Sequence, residues 1–396
     1  MIFRLFVLLF LLVATAAPAQ QKPKASAPLV RQMADSFMRR YPDSLGLADN
    51  KAARWGYEQG LMLKAIERVW QQTGERKYLD YMVRILDYSI GPDGAIQRYK
   101  YEDFNLDNIN TGRALLTLSQ QPGLAPDKYR LAAQRLHQQL AAQPRTKEGG
   151  YWHKKRYPHQ IWLDGLYMAE PFAAEYAKVF NQPADFDHVA LQFAQVEKHL
   201  VDSKTGLLYH GYDESREQRW ANKTTGLSPN FWGRGMGWYA MALVDVLDYF
   251  PQDHPERAKL VQYLQRLAPV LARYQDPKTG GWWQVSDQAG RAGNYIETSA
   301  SCMFVYALAK GSRLGYLDKK YNKVARKGYE GIVRQFVVQE PTGLLTLNGT
   351  VSVGGLGGSP YRDGSYEYYL SEPLQQNDFK GVGPFIMAGV EMEMSK

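Results

Sequence analysis

An alternation of two kinds of helical segment constrains this chain more than any other feature. Six segments open on small or polar residues and continue as runs that are apolar nearly all round. They begin near Trp55-Gly56-Tyr57, Asn108-Ile109-Asn110, Trp162-Leu163-Asp164, Gly233-Arg234-Gly235, Glu297-Thr298-Ser299 and Asp378-Phe379-Lys380. Between them lie more polar stretches with one apolar stripe, such as residues 129–142, 186–200, 255–274 and 322–338. In the last, Val324, Tyr329, Ile332, Val333 and Phe336 mark one face against Lys323, Lys327, Glu330 and Arg334. A helix apolar on most sides has to be buried, and one with a single apolar stripe covers it. Twelve such segments, counted from Leu29 and strictly alternating, predict six inner helices wrapped by six outer ones, an all-α (α/α)6 barrel. An open helical superhelix is the competing architecture. The irregular repeat spacing, roughly 50 to 80 residues, favours the closed ring.

A second repeat agrees with the first. Gly-led stretches precede five inner segments, at Gly94, Gly149-Gly150, Gly206, Gly280-Gly281 and Gly343. Each reads as a turn followed by a short strand, placed on a loop that leads into an inner helix. One face of the ring then collects the loops, the free N–H groups of the inner helices and most of the aromatic side chains. Residues 21–396 are expected to form this single domain, although a length of 396 would ordinarily suggest two or three.

The first 20 residues read as a secretory signal. Arg4 supplies the charge, residues 5–17 the short apolar run, and Ala16-Ala17-Pro18-Ala19 the small-residue cleavage region. The run is too short to span a membrane comfortably. The mature protein is therefore expected to be exported, to the bacterial periplasm or the medium, with no membrane attachment after cleavage. Lys and Arg exceed Asp and Glu by 48 − 40 = +8, spread along the chain with no basic stripe or tail. That distribution argues against nucleic acid; it suits an acidic oligosaccharide as partner, and equally a solvated surface that happens to be basic. The lone Cys302 lies in an apolar helical run, which excludes a disulfide framework and a thiolate metal cluster. The seven histidines show no ligand spacing, so no metal is expected. Oligomeric state is left open.

Phosphate-loop, zinc-protease, EF-hand and nucleophile-elbow strings are all missing, and Gly233-Arg234-Gly235-Met236-Gly237 has no strand–turn–helix context for a dinucleotide. What remains are carboxylates at inner-helix starts: Asp107, Asp164 and Glu297. Each also suits a helix cap. Asp164 stands out, because Trp162 and Tyr167 flank it, an apolar setting of the kind that keeps a carboxylic acid protonated. Such an acid with a second carboxylate nearby is the usual equipment for acid/base work on sugars. Arg234 and Trp238, four apart, share a helix face and suit a sugar carboxylate and a sugar ring, or equally a structural cation–π pair. Pro171 should kink or interrupt the third inner helix.

The stretch from Tyr157 to Phe172, including His159-Gln160-Ile161-Trp162-Leu163-Asp164-Gly165-Leu166-Tyr167-Met168, resembles the signature of glycoside hydrolase family 105, the unsaturated rhamnogalacturonyl hydrolases. Leu106-Asp107-Asn108-Ile109-Asn110, Tyr209-His210-Gly211-Tyr212-Asp213 and Trp232-Gly233-Arg234-Gly235-Met236-Gly237-Trp238 resemble three more of its motifs in the same order. The resemblance implies an (α/α)6 barrel and a reaction that hydrates the C4=C5 double bond of a terminal unsaturated uronic acid. It further implies Asp164 as general acid/base, Asp107 as the second carboxylate, His210 and Arg234 as polar substrate contacts and Trp162 and Trp238 as ring-stacking residues, with no cofactor. Rivals are a family 88-type unsaturated glucuronyl hydrolase acting on glycosaminoglycan, ulvan or arabinogalactan fragments, a sugar epimerase, for which His210 lacks an obvious partner histidine, and a non-catalytic oligosaccharide-binding protein.

Overall fold

The structure is a computed structural model that describes residues 28–45 and 55–395. The stretch read as a signal, residues 1–20, lies outside the described residues. Helices alternate outer and inner: α1 (Leu29–Arg40), α2 (Tyr57–Thr73), α3 (Arg76–Asp87), α4 (Gly112–Ser119), α5 (Pro126–Ala141) and α6 (Leu163–Phe180). They continue as α7 (Asp185–Leu200), α8 (Gly233–Val246), α9 (Arg257–Arg273), α10 (Thr298–Arg313) and α11 (Lys320–Phe336). A short α12 (Tyr366–Ser371) interrupts the last loop before the inner α13 (Phe379–Met394). The inner helices touch in the order α2, α4, α6, α8, α10, α13, and α13 packs back on α2, so the ring is closed.

Burial follows the two sequence patterns. Every residue of α8 is buried, whereas α11 fully buries Ala325, Gly328, Gly331 and Ile332 and rests Val324, Tyr329, Val333 and Phe336 against the core. Cys302 is buried inside α10. No helix among the described residues is long and apolar enough to cross a membrane.

Pro171 does not break α6, contrary to expectation. A proline nitrogen cannot donate to the carbonyl four residues back, which leaves the Tyr167 carbonyl without its helical partner. The Asn110 carboxamide, reaching in from the loop before α4, donates to that carbonyl at 2.9 Å. The defect is filled from a neighbouring element, and the helix continues.

Three of the Gly-led turns close on single bridges, Ile90 with Ile96, Arg145 with Tyr151 and Val201 with Leu208; the Gly280-Gly281 turn closes on backbone hydrogen bonds with Asp276, and the fifth leads into a strand. Gly206 and Gly280 sit at φ of 76° and 82°, where a side chain would be strained. In both turns an aspartate, Asp202 or Asp276, accepts the backbone N–H of the threonine ahead of the glycine at 2.7 Å. Three antiparallel strand pairs complete the fold: β1 (Gln160–Trp162) with β2 (Gly211–Asp213), β3 (Val337–Gln339) with β4 (Leu345–Leu347), and β5 (Thr350–Val351) with β6 (Leu374–Gln375).

Candidate active site

Backbone pairing at the mouth of the barrel sets the site. β1 runs directly into α6, and its Trp162 lies opposite Gly211. The Leu163 N–H donates to the His210 carbonyl at 3.0 Å, which fixes His210 beside the first turn of α6. On the other side, the Leu106 N–H donates to the His153 carbonyl at 3.2 Å, and the His153 N–H to the Gln160 carbonyl at 2.9 Å. Residues 105–107, 153–154, 160–162 and 210–211 are thereby laced side by side. A 3-10 turn, Leu106–Asn108, with the Asn105 side chain accepting the Asp107 N–H at 3.1 Å, presents the Asp107 carboxylate.

The lacing produces two carboxylate–histidine pairs around Trp162. Asp164 Oδ2 lies 3.4 Å from His210 Nε2, and Asp107 Oδ1 lies 3.4 Å from His153 Nε2. The Trp162 ring is parallel to His153 at 4.9 Å between centroids and edge-on to His210 at 5.3 Å. The two acids have different surroundings. Asp107 also receives the Lys154 ammonium in a short ion pair. Burial works to raise its pKa, but the Lys154 charge and then His153 override that, holding the carboxyl well below the usual carboxylate range. Asp164 Oδ2 is buried and has no hydrogen-bond partner. Burial lowers the pKa of His210, against the pull of Asp164, so its imidazole is neutral at pH 7; Nδ1 shares a 2.7 Å hydrogen bond with the Tyr369 hydroxyl. The Trp162 layer thus has on it an ionised carboxylate paired with His153 and Lys154, and a second carboxyl group with one unpartnered oxygen beside His210.

Arg234 opens α8 and is fully buried. Its Nη1 donates to the Val351 carbonyl at 2.6 Å, while Nε has no partner. The ring beneath its guanidinium is Trp232, 5.1 Å away, not Trp238 as the four-residue spacing suggested. Trp232 in turn lies 4.6 Å from His210, so Arg234 joins the site through that ring. Trp238 lies one turn deeper and is 1% exposed, stacked on Tyr167 and edge-on to Tyr57. Trp162 is 5% exposed and also stacks on Tyr157. Both rings already stack within the protein. Glu297 is the cap of α10: its carboxylate accepts the N–H groups of Ser299 and Ala300, and that of Val351 at 3.0 Å.

Several site residues escaped the sequence reading. His153 and Lys154 follow the Gly149-Gly150-Tyr151-Trp152 turn, a cue that pointed to their loop without pointing to them. His153 also supplies the histidine neighbour that His210 lacked, although it is tied to Asp107. Tyr57, half-buried at the start of α2 and edge-on to Trp238, has its hydroxyl pKa raised by burial, with Glu58 and Asp107 adding and Arg234 opposing. The glycine-rich stretch 348–362 packs on two rings of the site, Leu356 with Trp162 and Gly354 against Trp232. A Cβ on Gly354 would fall 2.4 Å from the Trp232 ring, and no side chain fits there.

A closed double ring of helices with two acids at its inner-helix mouth defines a glycoside hydrolase of the (α/α)6 class. The model of Glycosyl Hydrolase Family 88 matches residues 29–396. The solved family 105 glycoside hydrolase of C. acetobutylicum ATCC 824 superposes with a TM-score of 0.88 at 45% identity, covering 93% of this chain and 100% of that one. Protein Atu3128 of Agrobacterium fabrum is 42% identical over 230 residues, 57% of this chain and 97% of that protein. The unsaturated rhamnogalacturonyl hydrolase YesR of Bacillus subtilis is 26% identical over 285 residues, 70% of this chain and 75% of that protein. The chain belongs to glycoside hydrolase family 105, within the group that the family 88 model spans, and is an enzyme of the unsaturated uronyl hydrolase type.

Proposed function

We propose that this enzyme hydrates the C4=C5 double bond of the unsaturated uronic acid that ends lyase-generated rhamnogalacturonan fragments, releasing that sugar. The observation that carries the reading is the unequal pair of acids: Asp107 held ionised by Lys154 and His153, and Asp164 with a buried, unpartnered oxygen 3.4 Å from neutral His210. In this account Asp164 gives its proton to C4, using the π pair of the double bond, and the positive charge left at C5 is shared with the ring oxygen. A water oxygen then bonds to C5 and its proton returns to Asp164. The C5 hemiketal opens by breaking its bond to the ring oxygen, which takes the hemiketal proton. The hemiacetal so formed at C1 expels the neighbouring sugar as an alcohol. Proton transfer to carbon is slow, and a positioned acid contributes about 10²–10⁴-fold to such a step. Arg234 is assigned to the uronate carboxylate. The enzyme is further proposed to act after export, directed by residues 1–20.

The reading is tested by the ultraviolet absorbance of the conjugated double bond. Unsaturated rhamnogalacturonan disaccharide is expected to lose that absorbance with a higher kcat/KM than unsaturated glycosaminoglycan disaccharides. Loss on neither substrate would overturn the reaction, and a preference for glycosaminoglycan would overturn the substrate.

A further inference from the structure

A cavity of about 820 Å³ is lined by Arg156, Tyr157, Gln160, Leu356 and Arg362, and neither acid is among its lining residues. Three of its lining residues back the Trp162 layer. Tyr157 stacks on Trp162 at 4.9 Å, Gln160 accepts the Trp162 indole N–H at 3.0 Å, and Leu356 packs with Trp162 in one buried cluster. The cavity is therefore one aromatic layer from the reacting groups, and its volume falls in the usual range for a ligand site, about 300–1,000 Å³.

Two guanidinium groups line it. Arg362 donates Nε to the Gly357 carbonyl at 3.0 Å and Nη2 to the Tyr157 hydroxyl at 3.2 Å, which holds its fork in place. Its charge is felt at His210. Arg156 lies over the Tyr157 ring at 4.9 Å. Neither has a carboxylate within ion-pair distance among the described residues, unlike Lys154 two positions earlier, which is paired with Asp107. The one acid in the described lining is Glu372. Arginine forks held by aromatic and carbonyl contacts, but with no acid of their own, match a planar carboxylate from outside.

We propose that this cavity is a distal subsite binding a uronate carboxylate, on Arg156 and Arg362, in the sugar beyond the one joined to the unsaturated end. The proposal rests on the reading of Asp164 as the acid that attacks that end. It makes the enzyme a processor of acidic oligosaccharides longer than disaccharides, and it gives the loop 354–362 the task of reading the second charge.

The test uses three unsaturated trisaccharides that differ in the third sugar: a uronate, its neutral hexose and a sulfated hexose. With wild-type protein, kcat/KM for the uronate form is expected to exceed that for the neutral form by about tenfold, or about 1.4 kcal/mol, mainly through KM. Arg156→Gln and Arg362→Lys are each expected to reduce that ratio to threefold or less. Equal turnover of the uronate and neutral forms, or an undiminished ratio in both variants, would overturn the subsite. A sulfated form preferred over the uronate would overturn the carboxylate assignment. Calorimetry on Asp164→Asn separates the two ideas: if the wild-type enzyme turns over none of the three but this variant binds the uronate form about tenfold tighter than the neutral one, the hydration reading fails and the subsite stands.

Discussion

At the scale of single residues, two chemically identical acids of the candidate site have different surroundings. Lys154 is the residue that keeps Asp107 ionised against the effect of burial. The direction of a mutational effect follows from this. In Lys154→Met the opposing charge is gone, burial dominates, and protonation of Asp107 moves up into the ordinary carboxylate range. The acidic limb of the kcat/KM profile is therefore expected to move to higher pH by about 1–3 pH units; a pH–rate series in which the limb stays in place would contradict the assignment. Much of this scale was legible in the sequence. Asp107, Asp164, Trp162 and His210 lie in motifs and meet in space. His153, Lys154 and Tyr369 were not legible, because they reach the acids through backbone pairings, residues 105 with 154 and 163 with 210, and through a contact between residues 159 positions apart. Roles were harder to read than membership: Trp238 sits one turn below the mouth, and Arg234 lies over Trp232.

At the scale of elements, the helices were readable because burial imposes a 3.6-residue period on about a dozen residues at a time. β1, at three residues, carries no such signal, and its Trp162 read as the start of the following helix. Pro171 shows the limit of a local rule. A proline in a helix forfeits one hydrogen bond, and its effect depends on whether another element supplies the missing donor, here Asn110 of the loop before α4. Asn110→Ala is expected to destabilise the protein by about 1–3 kcal/mol, the cost of an unsatisfied buried carbonyl. In a Pro171→Ala background, where residue 171 regains its N–H, the same substitution should cost clearly less. Chemical denaturation of the four proteins of this cycle measures the coupling, and strict additivity would refute the account of the uninterrupted helix.

At the scale of the whole molecule, the ring is tied together by buried ion pairs. One chain of contacts runs from Glu67 and Lys64 on α2 through Glu175 on α6 and Arg113 on α4 to Asp245 on α8 and Lys310 on α10. Lys310 also reaches Asp248, and Arg68 on α2 and Arg313 on α10 share Glu391 on α13. Every inner helix contributes, and bases and acids balance. None of this was legible, because every pair but Lys64–Glu67 joins separate elements and single charges in apolar runs leave no periodic trace. Burial of Asp245 raises its pKa, but Lys310 and then Arg113 more than reverse that. A depressed carboxylate contributes stability above the ordinary range, about pH 4, that is lost as pH falls towards its own lower value. Asp245→Ala takes from two buried cations, Lys310 and Arg113, the carboxylate they share, leaving Lys310 with Asp248 and Arg113 with Glu175, and is expected to cost about 3 kcal/mol. Thermal melts at neutral pH should show it, and the loss relative to wild type should shrink in acid. A melting temperature unchanged by the substitution would show that the network does not hold the ring.

The central claim is that Asp164 supplies the proton that starts the reaction. It is tested most directly by comparing wild type with Asp164→Asn on unsaturated rhamnogalacturonan disaccharide, following the double-bond absorbance. The asparagine has no acid proton to give C4, so kcat is expected to fall by about 10²–10⁴-fold, with the melting curve showing an intact fold. A variant that removes the double bond at the wild-type rate would contradict the account.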